Sequence, residues 1–362
     1  MKYQEKKIWP YSLVKKIRKG FSDDDLEFIC SPKLFEYDRK VGFKYPRWMF
    51  WTSEHYSFGR CYRDWLGLPW WLPLPFYSDH GVHKKGEFEP HEKTNKAKIH
   101  LVFNDDRVAV NLNSEKKIIE VPHPWVVFKD SHGLNRNKFA AGTLIFYKKS
   151  IPGVEVVDYD FDLYFKSLEE LPDKYKPFVL CMHMHDIRKG YHKKIRHYGV
   201  PIVSAGEASS PAFVERFYSL ISNFKYATSN YGGSELFYCA EFGMEYFLYG
   251  EKPKKVNFSH PNLPKGELIP VETIEIKKNE TKTRLFSEWP PNLSTEKKNF
   301  VSHTLGINVD RNKVRKKIKR LVLIEYALSF PIVIWYVALS IADNYIPHSI
   351  LQKIRKIRNL LK

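Results

Sequence analysis

Between about residues 142 and 249, short apolar runs alternate with helix-compatible stretches, and this alternation narrows the possible folds more than any other feature of the chain. The runs are Gly142–Tyr147, Phe178–His185, Pro201–Gly206, Tyr226–Asn230 and Glu245–Tyr249. Runs this short and this rich in β-formers predict strands, and the helical stretches between them predict β-α units in a parallel sheet. In one such stretch Phe213, Phe217, Leu220, Ile221 and Phe224 recur at helical spacing. Ser209 or Ser210 is its expected N-cap, with Pro211 in the first turn. The expected unit is an α/β domain of the nucleotide-binding type, although architecture alone does not fix function.

The rest of the chain divides by composition. Residues 1–141 are rich in Trp, Tyr and Pro and are expected to form a second, less regular α/β domain, with strands at Lys98–Phe103 and Trp125–Phe128. The sheet domain occupies 142–260. Residues 252–300 are polar and Lys-rich, so 261–310 is expected to connect the sheet domain to the tail as a flexible surface excursion, with one strand around Val271–Ile276. Residues 311–362 form a basic and apolar helical tail. Its apolar run, Leu321–Ala342, is long enough to cross a bilayer but contains Glu325 and Pro331 and has Lys and Arg on both sides. An oblique or interfacial anchor therefore competes with a true span, and a core helix is the soluble alternative.

Charge bears on partners. Lys and Arg number 59 against 41 Asp and Glu, a formal net charge of +18, which favours an anionic partner: nucleic acid, a lipid surface or a phosphorylated substrate. Nucleic acid is not expected, since no helix-turn-helix, RNA-recognition or zinc signature accompanies the charge. The 4 cysteines are widely spaced without a C-x-x-C pair, which points away from a zinc ribbon or a disulfide framework and toward a reducing compartment. The first twenty residues hold no uninterrupted apolar stretch of signal-peptide length, so the cytoplasm is expected for the bulk of the chain.

Three polar strand ends are predicted on one edge of the parallel sheet, where ligands of such sheets bind. Thr228–Glu235 ends a strand and opens a helix. Its small residues and first-turn N–H groups suit the phosphate of a nucleotide sugar, held without metal, unless Ser229 or Asn230 only caps the helix. Gly206–Pro211 and His183–Asp186 are the other two ends. His183, His185 and Asp186 are metal-type ligands, but no further ligand stands at telling spacing and no metal is expected. In the first half, Asp79, His80 and Glu87 are acid/base candidates, because transfer to a hydroxyl needs a group to take its proton. His123 and His132 could face the same cleft. Asp158, Asp160 and Asp162 carry two D-x-D spacings that read as the acidic first turn of a helix.

In order along the chain, SDHG, HPW, GTLIF, D-I-x-x-G, GVPIVSAG, PAFVERFY, S-N-x-x-G-S-E-x-F-Y-x-x-E-x-G and FVSHTLG resemble bacterial surface-polysaccharide glycosyltransferases of the GT-B architecture, found in capsule, lipopolysaccharide O-antigen and exopolysaccharide synthesis. The resemblance covers roughly residues 75–310. It implies two Rossmann-like domains facing a cleft, a nucleotide-sugar donor bound by the C-terminal domain, a glycan or lipid-linked glycan acceptor bound by the N-terminal one, and no obligatory metal or other cofactor. It places Ser229, Asn230, Gly233, Ser234 and Glu235 near the donor phosphates or ribose, with Glu207 and His185 nearby, and turns Asp79 and His80 toward the acceptor. The long E-to-E donor motif of typical hexosyltransferases is not placed on this chain, which leaves the donor open. The tail then implies work at the cytoplasmic face of the cell membrane. A membrane-associated assembly factor that keeps the fold without catalysis is the alternative.

Overall fold

The computed structural model describes residues 9, 11–34, 51–82, 86, 88, 90–111, 114–146, 153–157, 160–250, 254–259, 265–267, 274–346 and 350. Among these the strands are β1 (Tyr77–Ser78), β2 (Ile99–Val102), β3 (Lys117–Glu120), β4 (Thr143–Phe146), β5 (Val154–Val157), β6 (Phe178–Cys181), β7 (Ile202–Val203), β8 (Tyr226–Ser229), β9 (Glu245–Leu248), β10 (Lys254–Asn257) and β11 (Gly266–Glu267).

Each of the five apolar runs supplies one strand of a parallel sheet ordered β7-β6-β4-β8-β9. Thr143 pairs with Phe178 on one side and with Tyr226 on the other, which makes β4 the centre. The chain steps outward from β4 to β6 and β7, then returns to the far side of β4 for β8 and β9. This reversal opens a crevice beyond the carboxyl ends of β4 and β8. Strand β8 is buried along its whole length, as expected of a strand covered on both faces. A second parallel sheet, β1-β2-β3, holds the first half together, and a small antiparallel sheet, β11-β10-β5, lies within the second. The structure is therefore α/β, with two parallel sheets and a helical C-terminal region.

Several sequence expectations are corrected. Trp125–Phe128 lies in a helix, Pro124–Ser131, which His123 caps through its ring and which Pro124 opens. A proline at the first helical position and a capping side chain before it outweigh the β-propensity of Trp-Val-Val-Phe. The helix after Pro211 begins at Phe213 with Ala212 as N-cap, and Ser210 Oγ instead accepts from the Ala212 N–H at 3.2 Å. Residues 274–276 of the expected strand are helical; 271–273 lie outside the described residues.

From residue 274 onward the supposed linker is helical and packed. Helix Ile274–Phe286 buries Leu285 and Phe286, and helix Thr295–Thr304 buries Val301. Phe286 meets Tyr246 with ring centroids 6.2 Å apart, and Phe300 meets Phe237 at 5.7 Å. The segment then crosses to the first half. Gly306 has φ +61°, and a Cβ there would lie 2.6 Å from both Phe103 O and Val121 O, so only glycine fits the approach. At the other terminus, helix Asp23–Ile29 packs on the edge of the larger sheet. The Phe21 N–H donates to Ile202 O at 2.7 Å and the Glu207 N–H to Ile29 O at 2.8 Å.

The two halves share one apolar core. Trp125 lies 4.5 Å from Tyr238 and 4.9 Å from Phe217, and Tyr56 lies 5.1 Å from Phe213. A buried ion pair, Arg60 with Glu215, adds a polar tie between them. The apolar run Leu321–Ala342 is broken. Helices Arg311–Leu328 and Phe330–Tyr345 meet at a 97° bend, and among the described residues no single helix is long and apolar enough to cross a membrane.

Candidate functional site

The carboxyl ends of both parallel sheets face a common pocket of about 280 Å³. Phe146 ends β4, Met182 and His183 follow β6, Ser204–Gly206 follow β7, and Ser229–Tyr231 with Gly233–Glu235 follow β8. The opposing wall comes from the first half: Tyr56, Phe58, His80, Gly81 and Trp125. An aromatic-lined crevice with a few converging polar groups, at a point where the strand order reverses, is the usual form of a small-ligand site.

The β8 turn is organised from within. Ser229 Oγ accepts from the N–H groups of Gly232 at 2.7 Å and Tyr231 at 3.3 Å and from the Tyr246 hydroxyl at 2.8 Å. Ser229 thus folds the turn but does not cap the helix, whose N-cap is Gly233. Glu235 Oε1 accepts from the Gly233 N–H at 2.6 Å, so its carboxylate occupies part of the helix end expected to hold the donor phosphates or ribose. Asn230 and Ser234 complete this wall. Behind it, the Lys282 ammonium donates to Gly232 O at 2.7 Å and to Tyr231 O at 3.4 Å. Lys282 is 8% exposed and comes from the helix that sequence reading took for linker. No local signal marked it, because its partner loop lies 50 residues away.

On the facing wall, Tyr56 and Ser57 adopt left-handed backbone, at φ 54° and 63°. Such a conformation costs a non-glycine residue about 1–3 kcal/mol and persists only when its surroundings hold it. Here the Tyr56 N–H donates to Ala208 O at 2.8 Å, and Trp125 Nε1 donates to Tyr56 O at 2.8 Å. Ser57 Oγ donates to Ser210 O at 2.9 Å and accepts from the Val214 N–H at 3.1 Å. The result aims the Tyr56 hydroxyl at His183 Nε2, 3.0 Å away. Since His183 Nδ1 accepts from the His185 N–H at 3.3 Å, the neutral ring carries its proton on Nε2 and donates to Tyr56. His80 stacks on Tyr56, with centroids 5.3 Å apart and planes 19° from parallel. Sequence reading missed Tyr56, which belongs to no motif.

Asp79 requires a correction. It is 1% exposed, and its carboxylate meets His100 Nε2 at 2.9 Å and Arg107 Nε at 3.2 Å, while Arg107 also meets Glu92 at 2.7 Å. A base must reach the proton it removes, and this carboxylate is committed to a buried ionic cluster beside the pocket wall. Burial works against the Arg107 charge, but the Asp79 and Glu92 carboxylates outweigh it and raise the proton affinity of the guanidinium. Glu207 is likewise spent on structure, pairing with Arg188 and accepting from the Ser209 N–H at 3.0 Å. His185 stands behind His183, with ring centroids 5.0 Å apart. Glu87 lies outside the described residues.

Other candidates resolve in the same way. His123 is buried, and its Nδ1 accepts from the Trp125 N–H at 3.2 Å, so Nε2 donates to the Tyr238 hydroxyl at 3.0 Å. Burial holds it well below the ordinary histidine value and therefore neutral. His132 stacks on Phe128, centroids 3.9 Å apart. Asp160 caps its helix by accepting from the Leu163 N–H at 2.8 Å. Cys181 lines the pocket, but burial pushes its thiol up to about 12, which keeps it protonated and unreactive. Among the described residues, two groupings bring metal-type donor atoms together, Asp79 with Glu92 and His100, and Asp105 with Asp106 and His303. Neither includes His183, His185 or Asp186, and in the first Arg107 already engages both carboxylates.

No protein-family model and no curated protein matches the chain. Among solved structures it is similar to the wall teichoic acid polymerase TagF, at 12% identity over 66% of this chain and 60% of that one, with a TM-score of 0.34. It is also similar to UDP-GlcNAc 2-epimerase from Neisseria meningitidis bound to UDP-GlcNAc, at 13% identity over 66% and 65%, with a TM-score of 0.33. The chain thus spans less than two thirds of the length of either, and likeness at this level says nothing about activity, which is read from the pocket itself.

Proposed function

We propose that the protein is a glycosyltransferase that moves a sugar from a nucleotide-sugar donor to a hydroxyl of a glycan acceptor. The observation that carries this reading is the meeting of two unlike walls in one pocket. One is a helix N-terminus backed by an ammonium and fronted by a carboxylate; the other is an imidazole stacked on a tyrosine. The motif resemblance across residues 75–310 points the same way.

Each wall has a distinct task in such a transfer. The N-terminus of helix Ser234–Glu241 and Lys282 behind the turn favour the donor phosphate, which becomes the leaving group. Glu235, an acceptor-only group when ionised, suits hydroxyls of the ribose or the sugar. Trp125, Phe146, Phe213 and Phe217 offer apolar faces to the base and the sugar ring. His80 takes the proton of the acceptor hydroxyl as that oxygen bonds to the anomeric carbon. The bond from that carbon to the phosphate oxygen breaks, and its electron pair leaves with the nucleotide. The Tyr56–His183 pair sits between the walls and positions the reacting centre.

In its finer form the reading makes the acceptor a lipid-linked glycan of a bacterial surface polysaccharide. The test is release of free nucleotide from a panel of nucleotide sugars by the purified chain, with and without membrane-extracted acceptor. Acceptor-dependent release that His80→Ala removes supports transfer. A folded protein that binds nucleotide sugar but releases nothing with any acceptor overturns it in favour of a non-catalytic role.

A further inference from the structure

The two tail helices carry a surface that the pocket does not use. From Arg311 to Arg320 the chain has seven Lys or Arg and no acidic residue. Lys313, Arg315, Lys316, Lys317 and Arg320 are all exposed. The first tail helix is nevertheless docked on the body. Ile318 and Val322 are buried, Arg311 pairs with Asp130 at 2.7 Å, and the Tyr326 hydroxyl donates to Pro73 O at 2.7 Å. Glu325, the acidic residue inside the apolar run, turns toward the body, 4.0 Å from Lys98.

Beyond the 97° bend the chemistry changes. From Phe330 to Ala342 there is no charged residue, and Phe330, Ile332, Ile334, Trp335 and Ile341 are each about half or more exposed, Trp335 at 60%. Leu323 and Leu328 extend this surface back onto the first helix. A remote loop joins it. Gly67 faces Arg315 and Lys319, and Pro73 receives the Tyr326 hydrogen bond, so residues 67–73 run along the same helix. Between these contacts Trp70 and Trp71 are exposed at 42% and 38%.

We propose that the tail elbow and the Trp70–Trp71 loop together form a seat for one leaflet of an anionic lipid bilayer, with the second tail helix lying in the plane of the interface. Lys and Arg clusters answer anionic headgroups, exposed tryptophans settle at headgroup depth, and an apolar helix face buries in the acyl boundary. The bend makes the second helix cross the first instead of extending it. At 16 residues it is about 24 Å long, short of the roughly 30 Å of a hydrocarbon core. Against a second copy of this chain, the basic clusters would be brought together and repel. Against a nucleic acid, the apolar helix would have no counterpart.

The test is co-sedimentation of the full chain with vesicles of phosphatidylcholine alone and of phosphatidylcholine mixed with phosphatidylglycerol. Three variants accompany it: Lys316→Glu with Lys317→Glu, Ile334→Ser with Trp335→Ser, and Trp70→Ser with Trp71→Ser. All six positions are exposed, so unfolding midpoints are expected to match the parent. The expected result is binding to the anionic vesicles, weakened roughly tenfold or more by each variant and, for the basic contribution, by added salt. Trypsin added outside to the bound protein is expected to cut after Lys353. Failure to bind anionic vesicles, binding indifferent to all three variants, or self-association that depends on Trp335 in place of vesicle binding overturns the proposal. Protection of Lys353 overturns the in-plane geometry in favour of a span. No substrate enters this experiment, so its outcome is independent of the glycosyl-transfer reading.

Discussion

The Tyr56 hydroxyl lies 3.0 Å from His183 Nε2, a contact between residues 127 positions apart that joins the two walls of the pocket. It depends on two left-handed residues, Tyr56 and Ser57, that the fold holds through four further hydrogen bonds. Tyr56→Phe keeps the ring against His80 and removes this hydrogen bond. The expected stability loss is about 1 kcal/mol in denaturant unfolding. Transfer is expected to fall by more than that loss explains, through kcat more than KM, if the contact positions the reacting centre.

Asp79 and His80 are neighbours with opposite expected consequences. Asp79→Ala leaves the buried His100 without its carboxylate and Arg107 with Glu92 as its remaining acidic partner, and is expected to destabilise the fold by about 1–3 kcal/mol, read from thermal or denaturant unfolding. His80→Ala is expected to leave stability nearly unchanged and to lower transfer by roughly 10²–10⁴-fold, with donor binding retained. The reverse pattern contradicts the assignment of the base.

Lys282 supports the β8 turn from behind through two carbonyls. Lys282→Met keeps most of the apolar stem and removes the charge. Nucleotide affinity, measured by calorimetric titration, is expected to weaken by about tenfold, and more at low salt than at high. An unchanged affinity removes Lys282 from the donor site.

His123 gives the fold a pH dependence of known sign. Burial lowers its proton affinity in the folded state, while the unfolded chain has the ordinary value of 6.5. Below 6.5 the unfolded state therefore binds a proton that the folded state refuses. Stability from this group is complete above 6.5 and is lost as pH falls, by up to about 1.4 kcal/mol per pH unit. In His123→Gln that portion of the slope below 6.5 is expected to disappear in unfolding free energies measured across pH 5 to 8.

The larger sheet was legible in the sequence because its strands are short, β-prone and mostly apolar runs bounded by Gly, Pro or polar residues, a pattern that needs no tertiary information. Its edge also yielded Asn230, Gly233, Ser234 and Glu235 as pocket residues. The first half was less legible. β1 is only two residues long, and Trp125–Phe128, with strand-like composition, was claimed for a helix by His123 and Pro124. Residues that act through distant partners left no local trace. Tyr56, Lys282 and the loss of Asp79 to an ionic cluster all depend on contacts 15 to 127 positions away. Likewise the polar stretch around 274–304 was read as linker because the apolar residues it is seen to bury, Leu285, Phe286 and Val301, are too sparse to give a strong helical stripe.

The central claim, that the pocket beyond β4 and β8 takes the nucleotide of a sugar donor, is tested most directly by thermal unfolding of the purified protein with UDP, GDP, CMP and dTDP, each with and without Mg²⁺, and of its Asn230→Ala and Glu235→Ala variants. A ligand that binds only the folded state must raise the unfolding temperature. The account predicts a rise with one of the four nucleotides, retained without Mg²⁺ and lost in both variants. No rise with any of them, from a protein shown to be folded, or a rise that survives both substitutions, contradicts it.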